Sequence, residues 1–161
     1  MPEILLILHN IRSTHNVGSI FRTAEGFGVS KIILSGYTPY PTIPNDTRLP
    51  HIREKLAAQI HKTALGAEAM VPFEYTEQLN LSDIKTTGYR LVALEQSPKS
   101  IILSGYKSPQ KLALLLGEEV AGIAPELLDQ CDDIIEIPMK GQKESFNVSV
   151  AAAIALYQLA T

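Results

Sequence analysis

The stretch LALLLGEEVAGIAPELLDQCDDIIEIPMKGQKESFNVSVAAAIALYQLA, residues 112–160, contains two short apolar runs, each followed by a polar turn and a segment of helical periodicity. LALLL at 112–116 and DIIEI at 133–137 lack the polar alternation of a half-exposed strand, so they are read as strands buried on both faces. The segments at about 124–130 and 147–160 are read as helices. The same alternation runs back to the first residues. ILLIL at 4–8, KIIL at 31–34 and YRLVAL at 89–94 predict further strands, with helices over about 16–27, 50–65 and 82–86. Strands alternating with helices imply an α/β class, a mainly parallel sheet with helices on both faces. A chain of 161 residues fits a single domain, 1–161.

The helices differ in how they must be buried. Over 16–27, Val17, Ile20, Phe21, Ala24 and Phe27 fall in one stripe, as a helix lying on a sheet requires. Ser13, Thr14 or Asn16 could cap this helix, and Gly26 and Gly28 mark its end. The helix at 147–160 has two apolar faces: Val148, Ala152, Ala155, Leu156 and Leu159 on one, Val150, Ala153, Ile154 and Tyr157 on the other. A helix apolar nearly all round is covered on two sides. Its outer face therefore meets either a second subunit or a deeper part of the core.

Composition narrows the classes. Hydrophobic residues make up 45% and charged residues 19%, the proportions of a folded globular domain. A single Cys131 allows no internal disulfide. With no secretory leader pattern at the first residues, the expectation is a cytoplasmic protein. No apolar run approaches the roughly 18 residues that would cross a bilayer, so no membrane partner is expected. The net charge of −3 is not that of a protein coated in positive potential, the usual footprint of a nucleic-acid binder, so any RNA contact must come from local clusters; no DNA partner is expected. Two local basic clusters stand out: Arg48, His51, Arg53 and Lys55, then Lys140 and Lys143. Each is either a solvated face or a phosphate contact. The hexapeptide IILSGY occurs at 32–37 and again at 101–106 without a surrounding repeat, and is read as coincidence. The proline-rich 37–49 is read as an ordered surface loop.

Three segments hold polar residues and glycines beyond what structure alone needs. HNVGSIFRTAEGFG at 15–28 carries Asn16 and also Arg22, which lies roughly 160° from the apolar stripe at about 100° per residue. LLLGEEVAGIAPE at 114–126 runs a buried strand into Gly117, Glu118 and Glu119, where ligands of open parallel sheets bind. IPMKGQKESFNVSVAAAIAL at 137–156 places Ser145 and Asn147 at the start of a helix, beside unpaired N–H groups. No dinucleotide fingerprint, phosphate-binding loop, nucleophile elbow or metal-ligand spacing is present, so no metal is expected.

These segments, in this order, resemble the three motifs of the SpoU or TrmH branch of the SPOUT RNA methyltransferases. Asn16, Gly18 and Arg22 match motif one. Gly117, Glu119 and Gly122 match the G-x-E-x-x-G of motif two, and Ile137 to Ala151 match motif three with Phe146 in place of Leu. KTALGAE at 62–68, between the motifs, extends the resemblance across nearly the whole chain. The resemblance implies a deep trefoil knot near the C-terminus, over about 89–150, a rare topology that periodicity could not reveal. It implies transfer of the methyl of S-adenosyl-L-methionine to a ribose 2′-hydroxyl of tRNA or rRNA by a homodimer. Leu94, Glu95, Gly117, Ile137, Met139 and Phe146 would contact the cofactor. Arg22, Asn16, Glu119, Ser145 and Asn147 would serve catalysis. Arg22 would act as a base or as a clamp on phosphate and developing alkoxide, and guanidinium groups are so rarely deprotonated that the clamp is the easier role. Two other readings stay open: a SPOUT-fold RNA-binding protein that has lost catalysis, and a small enzyme acting on a free nucleotide or metabolite.

Overall fold

The computed structural model describes residues 1–161. Seven strands form one sheet: β1 (Glu3–His9), β2 (Lys31–Ser35), β3 (Phe73–Thr76), β4 (Arg90–Leu94), β5 (Ile101–Ile102), β6 (Lys111–Leu116) and β7 (Asp133–Glu136). Their order is β3-β2-β1-β6-β4-β7-β5, and every neighbouring pair is parallel. Five helices accompany them: α1 (Thr14–Gly26), α2 (Pro50–Ala64), α3 (Leu81–Thr86), α4 (Pro125–Leu128) and α5 (Val148–Ala160).

The five expected strands and five expected helices are all present. β3 and β5 were not expected. β3 is a half-exposed edge strand with too little apolar character to stand out, and β5 is two residues long at the other edge. The helix expected over about 124–130 is only four residues long, starting after the extended Ala124 and ending at Leu128 with Asp129 as its cap. IILSGY takes two conformations. At 32–37 it forms most of β2 and then turns at Gly36 (φ 66°), whereas at 101–106 it forms β5 and a 3-10 turn. Context, not the hexapeptide, sets its structure.

Alternate residues of the strands serve two layers. Ile4, Leu6 and Leu8 of β1 join Val17, Ile20, Phe21, Ile60 and the inner face of α5 in the larger core. Leu5 and Ile7 face the smaller core with Leu81, Ile84 and Ile123. Each fully buried Leu or Ile contributes about 1.5–3 kcal/mol. Gly18 makes the α1–α2 packing possible: a Cβ there would lie 2.3 Å from the Ile60 carbonyl oxygen and 2.1 Å from Thr63 Oγ1. The Thr63 hydroxyl donates to the His15 carbonyl at 2.9 Å, so KTALGAE is the surface on which α1 rests.

Strands step outward from β1 through β2 to β3, while the second half of the chain builds on the other side of β1. The strand order thus reverses beside β1, and the crevice at the carboxyl ends of β1 and β6 is the place such sheets offer a ligand.

Candidate active site

Three loops converge beyond the carboxyl ends of β4, β6 and β7, enclosing a cavity of about 450 Å³. Leu94, Leu116, Ile123, Ile137 and Phe146 supply apolar walls, and Glu95, Glu118, Glu119 and Glu136 supply carboxylates. Of the six residues expected at a cofactor, Leu94, Glu95, Gly117, Ile137 and Phe146 line this cavity. Met139 does not, because the chain beyond Ile137 leads away before returning at Glu144.

The loop after β6 is built by close approach. A Cβ on Gly117 would lie 2.5 Å from Ile123 Cγ1, and one on Gly122 (φ 73°) would lie 2.4 Å from Glu95 Oε2. The Glu95 carboxylate accepts from the Ile123 N–H at 3.0 Å and from the Gln96 N–H at 2.9 Å. The Gln96 side-chain amide donates to the Glu144 carbonyl at 2.7 Å. Glu95 therefore holds the 117–123 loop with its side chain, and Gln96 ties in the third loop. Sequence reasoning gave Glu95 only a contact with the cofactor and did not find Gln96. Neither position has a spacing signal that would have exposed its partner.

A second construction joins the three motifs. Asn147 caps α5, its Oδ1 accepting from the Ser149 N–H at 2.9 Å and the Val150 N–H at 3.4 Å. This fixes its amide nitrogen as the donor to Asn16 Oδ1, at 3.2 Å. Asn16 Nδ2 then faces Glu119 Oε1 at 3.3 Å, and Glu119 Oε2 accepts weakly from the Arg12 N–H at 3.4 Å. The direction of this chain is set by backbone donors at the start of α5 and ends on a carboxylate that lines the cavity. Ser13, not Asn16, caps α1, its hydroxyl accepting from the Asn16 N–H at 3.1 Å. Ser145 lines the cavity beside Phe146. Arg22 is exposed on α1, six residues and roughly 9 Å along the helix axis from Asn16, outside this chain of hydrogen bonds.

Of the expected basic clusters, Arg48 is already engaged. It pairs with Asp46 at 2.6 Å, donates to the Tyr40 and Pro41 carbonyls at 3.0 and 3.1 Å, and stacks 3.6 Å from the Tyr40 ring centroid. Hydrogen bonding from Arg48 holds the Asp46 carboxyl well below the usual range. Arg53 donates to the Asp46 and Arg48 carbonyls at 3.0 and 3.2 Å. Both brace the 37–49 loop, while Lys55, Lys140 and Lys143 are exposed. The structure contains no group of three His, Cys, Asp or Glu side chains placed to hold a metal, and no helix long and apolar enough to cross a membrane.

The SpoU rRNA Methylase family model matches residues 3–157. The chain is 32% identical over 159 residues to the 23S rRNA (guanosine-2′-O-)-methyltransferase RlmB of Nitrosomonas europaea, covering 98% of this chain and 55% of that protein. Among solved structures it is similar to the TrmH/SpoU tRNA modifying enzyme of A. aeolicus, with TM-score 0.80 and 25% identity over 99% of this chain and 75% of that one. It also shares the fold of the AdoMet-bound rRNA methyltransferase of Sinorhizobium meliloti, with TM-score 0.80 and 24% identity over 98% of this chain and 55% of that one. The chain spans just over half the length of the curated relatives it matches. With all three motifs gathered at one end of the sheet and the family model matched almost end to end, the chain belongs to the SpoU rRNA methylase family.

Proposed function

We propose that the chain transfers the methyl group of S-adenosyl-L-methionine to a ribose 2′-hydroxyl of tRNA or rRNA, acting in the cytoplasm as a homodimer. The observation that carries this reading is the Asn147–Asn16–Glu119 chain at the edge of the cavity, which couples all three motifs through hydrogen bonds. A cofactor of this kind fits the cavity. The apolar walls suit a purine, the packing of Gly117 on Ile123 and of Gly122 on Glu95 shapes the loop that would face it, and the carboxylates suit a cationic sulfonium. When bound, the cofactor supplies an electrophilic methyl.

The residues would divide the remaining work. Leu94, Glu95, Gly117, Ile137 and Phe146 would hold the cofactor. Asn16, Glu119 and Asn147 would fix the ribose so that its 2′-oxygen lies in line with the methyl, and positioning of this kind removes much of a transfer barrier. Ser145 would contact the ribose or the cofactor from the cavity wall. Arg22 would clamp a phosphate and stabilise negative charge as the hydroxyl loses its proton. Arg22 stands apart from the site within one subunit, and the outer face of α5 is exposed at Val150, Ile154 and Tyr157, 46%, 37% and 63% respectively. Both observations support a dimer whose second subunit completes the site. A knot over about 89–150 is supported by the interleaving of β6-β4-β7-β5 and by the Gln96–Glu144 tie, and 1–161 is taken as one domain.

Incubating the chain with methyl-labelled S-adenosylmethionine and total tRNA or rRNA tests the reading, with nucleoside analysis of the product. The expected product is a 2′-O-methylnucleoside. Label on a base, or on added free nucleosides but not RNA, would overturn it. Calorimetric cofactor binding with RNA binding but no transfer would identify a non-catalytic binder.

A further inference from the structure

A second groove, of about 600 Å³, opens beside the first at the carboxyl ends of β1 and β2, between Arg12, Ser13, Tyr37, Tyr40 and Gln59. Of its three tyrosines, Tyr37 differs from Tyr40 and Tyr75. Tyr40 is closed on both sides, with the Tyr75 ring stacked at 3.9 Å and the Arg48 guanidinium at 3.6 Å. Tyr37 is 48% exposed, with Arg12 5.5 Å from its ring centroid and the Glu118 carboxylate hydrogen-bonded to its hydroxyl. Yet the backbone that carries Tyr37 is closely held. Asn10 and Gly36 both adopt left-handed backbone, φ 56° and 66°. The Asn10 Oδ1 accepts from the Tyr37 N–H at 3.0 Å and occupies the space that a Cβ on Gly36 would need, 1.9 Å away. The adjoining Thr38 hydroxyl accepts from the buried Ile11 N–H at 3.0 Å.

An exposed tyrosine whose backbone is set by a left-handed non-glycine residue, Asn10, is more order than a surface position needs, and such order concentrates at ligand sites. The groove touches the methyl-transfer site through Arg12, whose N–H reaches Glu119. Its walls offer a π-face and a guanidinium but no deep apolar pocket for a protein anchor. That combination suits a base and its phosphate.

We propose that this groove stacks one base of single-stranded RNA on Tyr37, next to the acceptor ribose, with Arg12 on the adjoining phosphate. The proposal rests on the methyl-transfer reading above. It assigns RNA contact to a local aromatic and cationic groove in a chain whose net charge is −3.

The chain has no tryptophan, so Tyr37→Trp introduces a single indole reporter. Its emission should be quenched saturably by a mixed-sequence single-stranded RNA 12-mer at the concentrations that bind the parent chain. In anisotropy titrations with the labelled 12-mer, Tyr37→Phe should bind within about twofold of the parent. Tyr37→Ala should bind roughly five- to a hundredfold more weakly, the range for loss of one base–aromatic stack. Arg12→Ala should flatten the slope of affinity against salt by about one phosphate contact. Unchanged affinity in Tyr37→Ala, while the parent binds and methylates RNA, overturns the groove alone. A parent that binds no RNA overturns the groove together with the methyl-transfer reading. Equal quenching by free nucleoside monophosphates overturns it in favour of a small-molecule site.

Discussion

Arg22 and Gly122 carry the sharpest consequences at the scale of single residues. Replacing Arg22 by Ala is expected to depress single-turnover methyl transfer by several orders of magnitude while leaving cofactor affinity and melting temperature close to those of the parent, since the side chain is exposed. Arg22→Lys should recover only part of the loss, because an ammonium keeps the charge but not the planar fork. An oxyanion donor is worth about 2.7–4 kcal/mol. Near-normal turnover of Arg22→Ala would return it to the surface residue that its periodicity alone suggests. Gly122→Ala should act through the cofactor instead. A methyl group there meets Glu95 Oε2 at 2.4 Å in a left-handed conformation, so the carboxylate must release the Ile123 N–H. Calorimetry should find cofactor affinity reduced at least tenfold with the sheet intact by circular dichroism, and unaltered affinity would refute the role given to Glu95. Asn16 and Glu119 were legible in the sequence only through motif resemblance. The side-chain work of Glu95 and Gln96 was not legible at all, because their partners lie 28 and 48 residues away and carry no pattern.

Helix α5 illustrates what periodicity reveals about an element and where it stops. Of its expected inner face, Ala152, Ala155, Leu156 and Leu159 are fully buried and Val148 is partly buried against the same core, whereas Ile154 and Tyr157 remain exposed, with Phe27 against the Tyr157 ring. Ile154→Glu and Tyr157→Glu should each shift sedimentation velocity from dimer toward monomer at micromolar concentration, since an unpaired charge would enter an apolar contact. An unchanged sedimentation profile in both would mean that another face associates. The 37–49 loop behaves as a small element in its own right, closed by Asp46 and Arg48. The Asp46 carboxyl is lowered in the folded chain, chiefly by its hydrogen bond from Arg48, from the ordinary 3.8. Its stabilising contribution is therefore complete above about pH 4 and is lost as the pH falls toward the native value. In urea titrations the stability gap between the parent and Asp46→Asn should narrow between pH 7 and pH 3, and a constant gap would contradict the pairing. Sequence reading placed Arg48 among possible phosphate contacts because charge alone does not disclose that Tyr40, Pro41 and Asp46 of the proline-rich loop have folded back around it.

For the whole molecule, RNA affinity should depend on salt modestly, with Lys55, Lys140 and Lys143 as the free cations of the two sequence clusters. Neutralising these three should flatten the dependence of log affinity on log salt, and an unaltered slope would remove them from the RNA path. Neutralising Arg48 should instead lower stability. The α/β class was legible because both faces of most strands are apolar, while the strand order was not, since nothing local in Lys111–Leu116 indicates that it inserts between β1 and β4. That insertion has a kinetic consequence. Strand β1 pairs from Glu3 with Lys111 onward to Leu8 with Leu116, so one of its edges stays open until more than a hundred further residues have been made. Topologies dominated by such distant pairings fold slowly, in milliseconds to seconds, and the larger core cannot close during synthesis of the first half of the chain. The apolar strand Ile4–Leu8 is then the segment most in need of protection in the nascent protein, and its edge is the place where a stalled or truncated product would begin to aggregate.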